Sequence, residues 1–288
     1  MFAPLSKLSI RDAKYVLDSA SKQSVFHVFD PHALVQAAGY LKFKNGTAAE
    51  EGVFFRGETK LHGSLSPTLF RGLSNQTSQS GRTRLLKKAM QELCGTNNIF
   101  SSFPNLAHEP LLQHYGLRTS WVDLVDNVWV ALWFACHRAH ATGPISQYLH
   151  FEKRNVHKEP DAFAYILLVG ADNGRLAHRA PGIYVGTNTE LVDLRVAAPS
   201  IFLRPHSQHG LLFRVRGDHV KRPVDYGTQI RGILRISLAD ALAWLGAGQM
   251  LGVHALFPPP YYDRGYSILL GAEFQGTKTV GAVAHVGS

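Results

Sequence analysis

The sequence predicts an α+β fold in which a single domain holds a mixed β-sheet flanked by helices. Helical patterns concentrate in the first half of the chain, strand patterns concentrate in the second half, and neither repeats nor heptads are present. The chain has 288 residues, of which 45% are hydrophobic and 18% are charged, so it can bury a sizeable core. This composition excludes a chain that is disordered throughout.

The first half of the chain carries four helical patterns and one strand pattern. Asp30 and Pro31 form a helix start, because a carboxylate can accept from free N–H groups and proline suits the first helical position. The apolar residues 51–58 predict a strand, and the small polar residues 72–82 predict a mobile loop. Periodic apolar positions predict helices at residues 31–39, 84–94, 105–115 and 128–140.

Strand patterns dominate the second half. The continuous apolar run at residues 162–169 has the length of a strand and predicts one that is buried on both faces. Ser237 and Asp240 form a capping pattern, which predicts a helix after them. Further strands are predicted at residues 189–196, 210–216 and 232–236.

The charge balance points to anionic partners. Lysine and arginine outnumber aspartate and glutamate by 30 to 21, a formal net charge of +9 that attracts polyanions and anionic ligands. Four cations cluster at the start of the helix at residues 84–94, namely Arg82, Arg84, Lys87 and Lys88. They are either a nucleic-acid contact or a solvated helix face, and the frequency of surface charge favours the solvated face.

Several classes of protein have no support in the sequence. No apolar run approaches the length of a membrane span, and the first residues lack an apolar signal-peptide segment, so we expect a cytoplasmic protein without a membrane partner. The two cysteines, Cys94 and Cys136, support neither a disulfide framework nor a metal site. Motifs of Rossmann enzymes, P-loop NTPases, serine hydrolases and zinc proteases are missing from the sequence.

Three segments combine polar or basic side chains with neighbouring apolar residues and glycines. They are residues 53–58, 113–123 and 204–213. Arg56 ends an apolar strand beside Gly57, where a guanidinium is costly to bury unless an anion meets it. That anion is either a bound ligand, which we favour, or an internal carboxylate. The second result would overturn an enzymatic role that depends on Arg56 to hold a negatively charged ligand.

The other two segments supply candidates for proton transfer and for orienting a substrate. His114 with Asp123 can act as a general base, or His114 can be a hydrogen-bonded core histidine. The amide of Gln208 can donate and accept hydrogen bonds but cannot act as a base, so it would orient a substrate. Proton removal would then fall to His114, His209, Asp123 or the substrate itself.

These segments resemble the FRG-domain family, named for a Phe-Arg-Gly motif that reads Phe55-Arg56-Gly57 here. The longest family motif is matched from a Gln-His-Tyr-Gly-Leu stretch at residues 113–117 to an Ala-Leu-Trp-Phe-Ala stretch at residues 131–135. Residues 204–213 and 256–265 are similar to two later elements of the family. Four residues depart from the family pattern, namely Arg118, Leu124, Val125 and Val128.

The order of the motifs resembles, more distantly, that of ADP-ribosyltransferases. The resemblance implies a split sheet, NAD as substrate, no metal, an N-terminal helical segment at residues 1–48 and an FRG-like catalytic domain at residues 49–288. Arg56 would fix the pyrophosphate while the nicotinamide bond breaks through an oxocarbenium-like ribosyl centre. The implied catalytic residues are Arg56, His114, Asp123 and Gln208. The implied cofactor-binding residues are Arg56, Gly57, Tyr115, Thr119, Ser120 and Arg204.

The implied acceptor is a macromolecule, with DNA or RNA favoured by the positive charge, and the implied setting is a bacterial toxin or anti-phage effector that an antitoxin or another protein would control. Nucleic acid would contact the four cations Arg82, Arg84, Lys87 and Lys88 and stack on Trp121. Two alternatives stay open. One is a nucleic-acid-binding or nuclease module that does not use NAD, and the other is a non-enzymatic sensing or interaction domain.

Overall fold

The computed structural model describes residues 5–48, 51–172, 175–176, 180–217, 223–248 and 251–287. The helices are α1 (Pro31–Ala48), α2 (Gln76–Thr96), α3 (His108–His114), α4 (Val128–Cys136), α5 (Leu194–Ala197), α6 (Leu203–Ser207), α7 (Leu238–Trp244), α8 (Val253–Leu256) and α9 (Arg264–Leu270). Short 3₁₀ turns add Leu5–Lys7, Thr68–Phe70, Asn98–Ser102, Asn105–Ala107, Gly227–Gln229 and Gly246–Gly248.

The strands form one large sheet and one small sheet. They are β1 (Ala13–Leu17), β2 (Ser24–Val28), β3 (Glu51–Glu58), β4 (Val122–Val125), β5 (His137–Thr142), β6 (Tyr148–Lys153), β7 (Phe163–Asp172), β8 (Arg175–Leu176), β9 (Ile183–Val185), β10 (Thr189–Asp193), β11 (Gly210–Val215), β12 (Ile230–Ser237) and β13 (His285–Gly287). The large sheet has the order β1-β2-β12-β7-β3-β4-β11-β10-β9-β8, and the small sheet has the order β13-β6-β5.

Strand directions make the large sheet mixed, because β12 pairs with β2 in parallel and with β7 antiparallel. Helices α1, α4 and α7 pack against one face, where they bury the inward side chains of β3, β7 and β12. The structure therefore confirms a single α+β domain with a mixed sheet flanked by helices. Among the described helices, none combines the length and the apolar character needed to cross a membrane.

The strand that the apolar run at residues 162–169 predicts is present as the central strand β7. It lies between β12 and β3, and all of its residues except the first and the last are buried. The strands predicted at residues 51–58 and 210–216 also form, as β3 and β11.

The N-terminal segment is only partly helical. Within residues 5–48, α1 follows two strands, β1 and β2, and β2 pairs with β12 so that Phe26 lies opposite Leu234. The first residues thus extend the large sheet. The helix α1 also continues past Gly39, where we expected it to end, as far as Ala48.

Two of the other local predictions are wrong for identifiable reasons. The region predicted as a mobile loop at residues 72–82 contains the start of α2, because the side-chain oxygen of Asn75 accepts from the backbone N–H of Ser78 at 2.7 Å. The helix predicted at residues 128–140 ends at Cys136, because His137–Thr142 leaves the helix to pair with β6 as β5.

A buried carboxylate, Asp18, ties the end of β1 to the inner strands β7 and β12. It accepts hydrogen bonds from Ser21, from the hydroxyl of Tyr165 at 3.0 Å and from Nη1 of Arg235 at 3.1 Å. Burial raises its pKa, but these hydrogen bonds outweigh burial and lower the pKa to about 2.

We expect Asp18→Asn to destabilise the protein by roughly 2 kcal/mol at neutral pH. A folded-state pKa below the unfolded value stabilises the fold above the unfolded value, and that stability is lost as the pH falls through the folded value. The difference from the wild type should therefore shrink between about pH 4 and pH 2. Urea unfolding of both proteins at several pH values measures it, and a difference independent of pH would contradict the assignment.

Candidate functional site

The sheet order brings the three polar segments of the sequence together. Strand β4 lies between β3, which carries Arg56, and β11, which follows Gln208. These segments line one cavity of about 970 Å³. Six of the predicted site residues line it, namely Arg56, Gly57, His114, Asp123, Arg204 and Gln208.

Arg56 makes internal contacts with its guanidinium group. Its Nε lies 2.6 Å from Glu58 Oε1, and its Nη1 donates to the backbone oxygen of Asp123 at 2.9 Å. Burial lowers the pKa of Arg56, but the charges of Glu58 and Asp123 outweigh it and raise the pKa. Arg56 is therefore paired with an internal carboxylate, contrary to the bound ligand that we favoured. Its side chain joins β3 to β4.

Gly57 lies where β3 packs against α4. A Cβ atom at this position would lie 1.9 Å from the backbone oxygen of Ala131 and 2.8 Å from the backbone nitrogen of Ala135. Only glycine allows the strand to approach the helix this closely. Phe55 is buried in the core beneath the same helix, so the Phe-Arg-Gly motif has a packing role at two of its three positions.

Asp123 presents a carboxylate to the cavity. Its Oδ2 accepts from Gln113 Nε2 at 2.8 Å, its Oδ1 lies 3.5 Å from His114 Nδ1, and its side chain is 45% exposed. Burial raises the pKa of Asp123, but the interaction with His114 and the charge of Arg56 lower it overall. The carboxylate is therefore ionised at neutral pH and held on both oxygens, as a base or an electrostatic stabiliser requires.

His114 is packed beneath Asp123. Its side chain is 3% exposed, and a Cβ at Gly210 would lie 2.5 Å from its Cε1. Within the described residues its Nε2 is buried and has no hydrogen-bond partner. Only Nδ1 faces a functional group, so the geometry favours His114 as a residue that positions Asp123.

Arg204 and Tyr115, both predicted to bind the cofactor, contact buried partners. Arg204 is 1% exposed, its guanidinium carbon lies 4.4 Å from the ring centroid of Tyr115 and 4.6 Å from that of Tyr266, and its Nη1 donates to His114 O at 2.9 Å. The hydroxyl of Tyr115 donates to Asp263 at 2.6 Å, and burial raises the pKa of Tyr115. Arg204 borders the cavity, whereas Tyr115 does not.

The remaining residues of the polar segments also form internal bonds. The hydroxyl of Thr119 donates to Gln113 Oε1, and the hydroxyl of Ser120 donates to Glu109 at 2.7 Å. Neither Thr119 nor Ser120 lines the cavity. Gln208 lines the cavity and donates from Nε2 to the backbone oxygen of Leu256 at 2.8 Å. This bond anchors the chain just before Pro258.

The residues predicted to contact nucleic acid lie outside the cavity. Arg84, Lys87 and Lys88 are exposed on α2, whereas Arg82 uses its Nη1 to bind the backbone oxygen of Leu69 at 2.8 Å. The prediction that nucleic acid stacks on Trp121 is wrong, because this residue is only 3% exposed. The guanidinium carbon of Arg214 lies 4.3 Å from that ring, so no face is open to stack on a base.

Sequence reasoning missed two cations and an aromatic wall that line the cavity. Lys60 and Arg71 lie on the segment after β3, and both are exposed. The wall consists of Phe134, Phe151 and Phe257, with 4.4 Å between the ring centroids of Phe151 and Phe257. In the sequence both cations resemble solvated surface residues, and the only available signal was that Lys60 stands close after the Phe-Arg-Gly motif.

The described part of the chain holds neither a cluster of metal-ligating side chains nor a cysteine with a lowered pKa. No group of three or more His, Cys, Asp or Glu side chains there could hold a metal ion. Burial raises the pKa of Cys94 and of Cys136 to about 12, so both thiols are protonated at neutral pH.

The structure defines an α+β protein in which β3, β4 and β11 meet at a cavity of about 970 Å³. Residues 51–143 match the family model of the FRG domain, which confirms the predicted resemblance over that segment. The match runs from β3 into the start of the β5–β6 connection and includes Arg56, His114 and Asp123. Searches of curated proteins and of solved structures found no match.

Proposed function

We propose that the cavity binds NAD and that the protein transfers ADP-ribose from it to a macromolecular acceptor, with nucleic acid as the favoured acceptor. One observation carries the proposal: the carboxylate of Asp123, cationic side chains and an aromatic wall line the same cavity. Its volume of about 970 Å³ lies in the range of cavities that bind small molecules. A split sheet like that of ADP-ribosyltransferases is part of this proposal.

Asp123 is the residue to which we assign the chemistry. As the bond between the ribose C1′ and the nicotinamide nitrogen breaks, its electron pair goes to the nicotinamide ring and positive charge develops at C1′. The Asp123 carboxylate, fixed by Gln113 and His114, stabilises that charge. As an oxygen or nitrogen of the acceptor bonds to C1′, its proton passes to Asp123 and then to water.

Two other surfaces support the substrate and the acceptor. Phe134, Phe151 and Phe257 offer an apolar wall on which the nicotinamide ring can pack. The exposed cations of α2, with the net charge of +9, favour DNA or RNA as acceptor. Such an activity would damage a bacterial cell, which fits a toxin or anti-phage effector held in check by an antitoxin.

The test uses NAD labelled in its adenylate phosphate, incubated with the purified protein and with DNA, RNA or cell lysate. Release of nicotinamide together with label on the acceptor supports the proposal. Cleavage or retention of nucleic acid without consumption of NAD would overturn it in favour of the nuclease or binding alternative. Failure to consume NAD with any acceptor, and failure to bind nucleic acid, would overturn it in favour of an interaction domain.

A further inference from the structure

We propose that Lys60 and Arg71 form the phosphate-binding part of the cavity, the role that the sequence assigned to Arg56. The inference rests on the proposed function for the identity of the nucleotide. The phosphate site itself rests on the contacts of the cavity's cations.

Four of the six lysine and arginine side chains that line the cavity are committed to internal partners. Arg56 pairs with Glu58 at 2.6 Å. Arg138 and Arg154 share Glu159, at 2.7 Å and 3.2 Å. Arg204 is buried between two aromatic rings and donates from Nη1 to the backbone oxygen of His114, while its Nε and Nη2 are buried and have no hydrogen-bond partner among the described residues.

Lys60 and Arg71 are the two that remain. Among the described residues neither forms an ion pair, and Lys60 has no hydrogen-bond partner for its ammonium group there. Arg71 donates from Nε to the backbone oxygen of Ser66 at 3.2 Å, a bond that leaves its outer nitrogens for another acceptor. Lys60 belongs to the connection between β3 and the 3₁₀ turn Thr68–Phe70, and Arg71 directly follows that turn.

The electrostatics of Arg71 support the assignment. Desolvation by the surrounding protein atoms has the largest effect and lowers the pKa of Arg71, the positive charge of Arg56 lowers it further, and the charges of Glu58 and Asp123 raise it by less. The guanidinium groups of Arg71 and Arg56 therefore repel each other. An anion placed between the guanidinium groups would relieve that repulsion.

The cavity suggests the chemical class of the ligand. A guanidinium fork can bind two phosphate oxygens at once, and an ammonium group adds a point charge. The aromatic wall of Phe134, Phe151 and Phe257 lines the same cavity. Together they suit a nucleotide with a pyrophosphate group and a flat ring, and in this arrangement Arg56 is a positioning residue that holds β3 to β4.

The test is calorimetric titration of inorganic pyrophosphate and of ADP-ribose into the wild type, Lys60→Ala, Arg71→Ala and a control. Lys158→Ala is the control, because Lys158 is also an exposed lysine but does not line the cavity. We expect each cavity variant to weaken binding of both ligands about tenfold, as for one charge-assisted hydrogen bond. The control should bind like the wild type, and thermal melts should show all variants folded.

Each outcome separates the phosphate site from the proposed reaction. Unchanged affinity in both cavity variants, equal weakening in the control, or no binding of pyrophosphate to the wild type would overturn the site. Weakened binding in the cavity variants of a protein that does not consume NAD would leave the phosphate site standing and the reaction refuted. If NAD consumption did not change in either cavity variant, the phosphate site would be refuted and the reaction would stand.

Discussion

Replacing Asp123 with asparagine should lower the rate of ADP-ribose transfer by about 10²- to 10⁴-fold, the contribution of a positioned general base. The amide has the size of the carboxylate but carries no charge to stabilise the ribosyl centre and cannot take the acceptor's proton. The measurement is nicotinamide release at saturating NAD. Since Asp123 is half-exposed in the cavity, the variant should fold like the wild type.

Asp161→Asn is the matched control for this experiment. Asp161 is an exposed aspartate that also lines the cavity, but it has no assigned role in the chemistry. Its variant should retain the wild-type rate. Equal losses in the two variants would show that the total negative charge of the cavity matters rather than Asp123, and full activity of Asp123→Asn would remove Asp123 from the mechanism.

Replacing Gly57 with alanine should destabilise the fold by roughly 3 kcal/mol or more, near the upper end of overpacking effects. The new methyl group would overlap the backbone oxygen of Ala131, at 1.9 Å, and approach the backbone nitrogen of Ala135, at 2.8 Å. Because both atoms belong to the backbone of α4, no side chain can turn aside. The helix would have to move off β3, and urea unfolding measures the loss.

The control for Gly57 is Gly39→Ala. Gly39 lies in α1, and a Cβ there would meet no atom within 4 Å. Alanine favours a helix over glycine by up to about 1 kcal/mol, so this variant should be as stable as the wild type or more stable. If Gly57→Ala unfolded at the wild-type urea concentration and lost only ligand affinity, the glycine would serve the ligand instead of the helix contact.

The central strands could be predicted from the sequence because their signal is local. Residues of β7 are apolar almost without interruption, and β3 is apolar and aromatic. The ion pair of Arg56 was also within reach, since side chains two residues apart on a strand point to the same face. Glu58 stands two residues after Arg56, so the internal carboxylate could have been predicted from that spacing.

Other features depend on contacts between distant parts of the chain. β2 pairs with β12, about two hundred residues later, so the sequence near residues 24–28 does not predict which strand they pair with. Tyr115 has the residue type of a ligand contact, but its hydroxyl is taken by Asp263. Trp121 likewise looked suited to stacking, and only the packing of Arg214 on its ring shows that it is covered.

β3 pairs mainly with a strand that lies outside the segment matching the FRG domain. Within that segment β3 meets β4 at a single pair, Phe55 with Val125, whereas it pairs along its whole length with β7, which lies beyond residue 143. Cut out at those limits, the segment would leave the amides and carbonyls of β3 without a neighbour on that side. We therefore expect residues 51–143 to need β7 in order to fold and to stay monomeric.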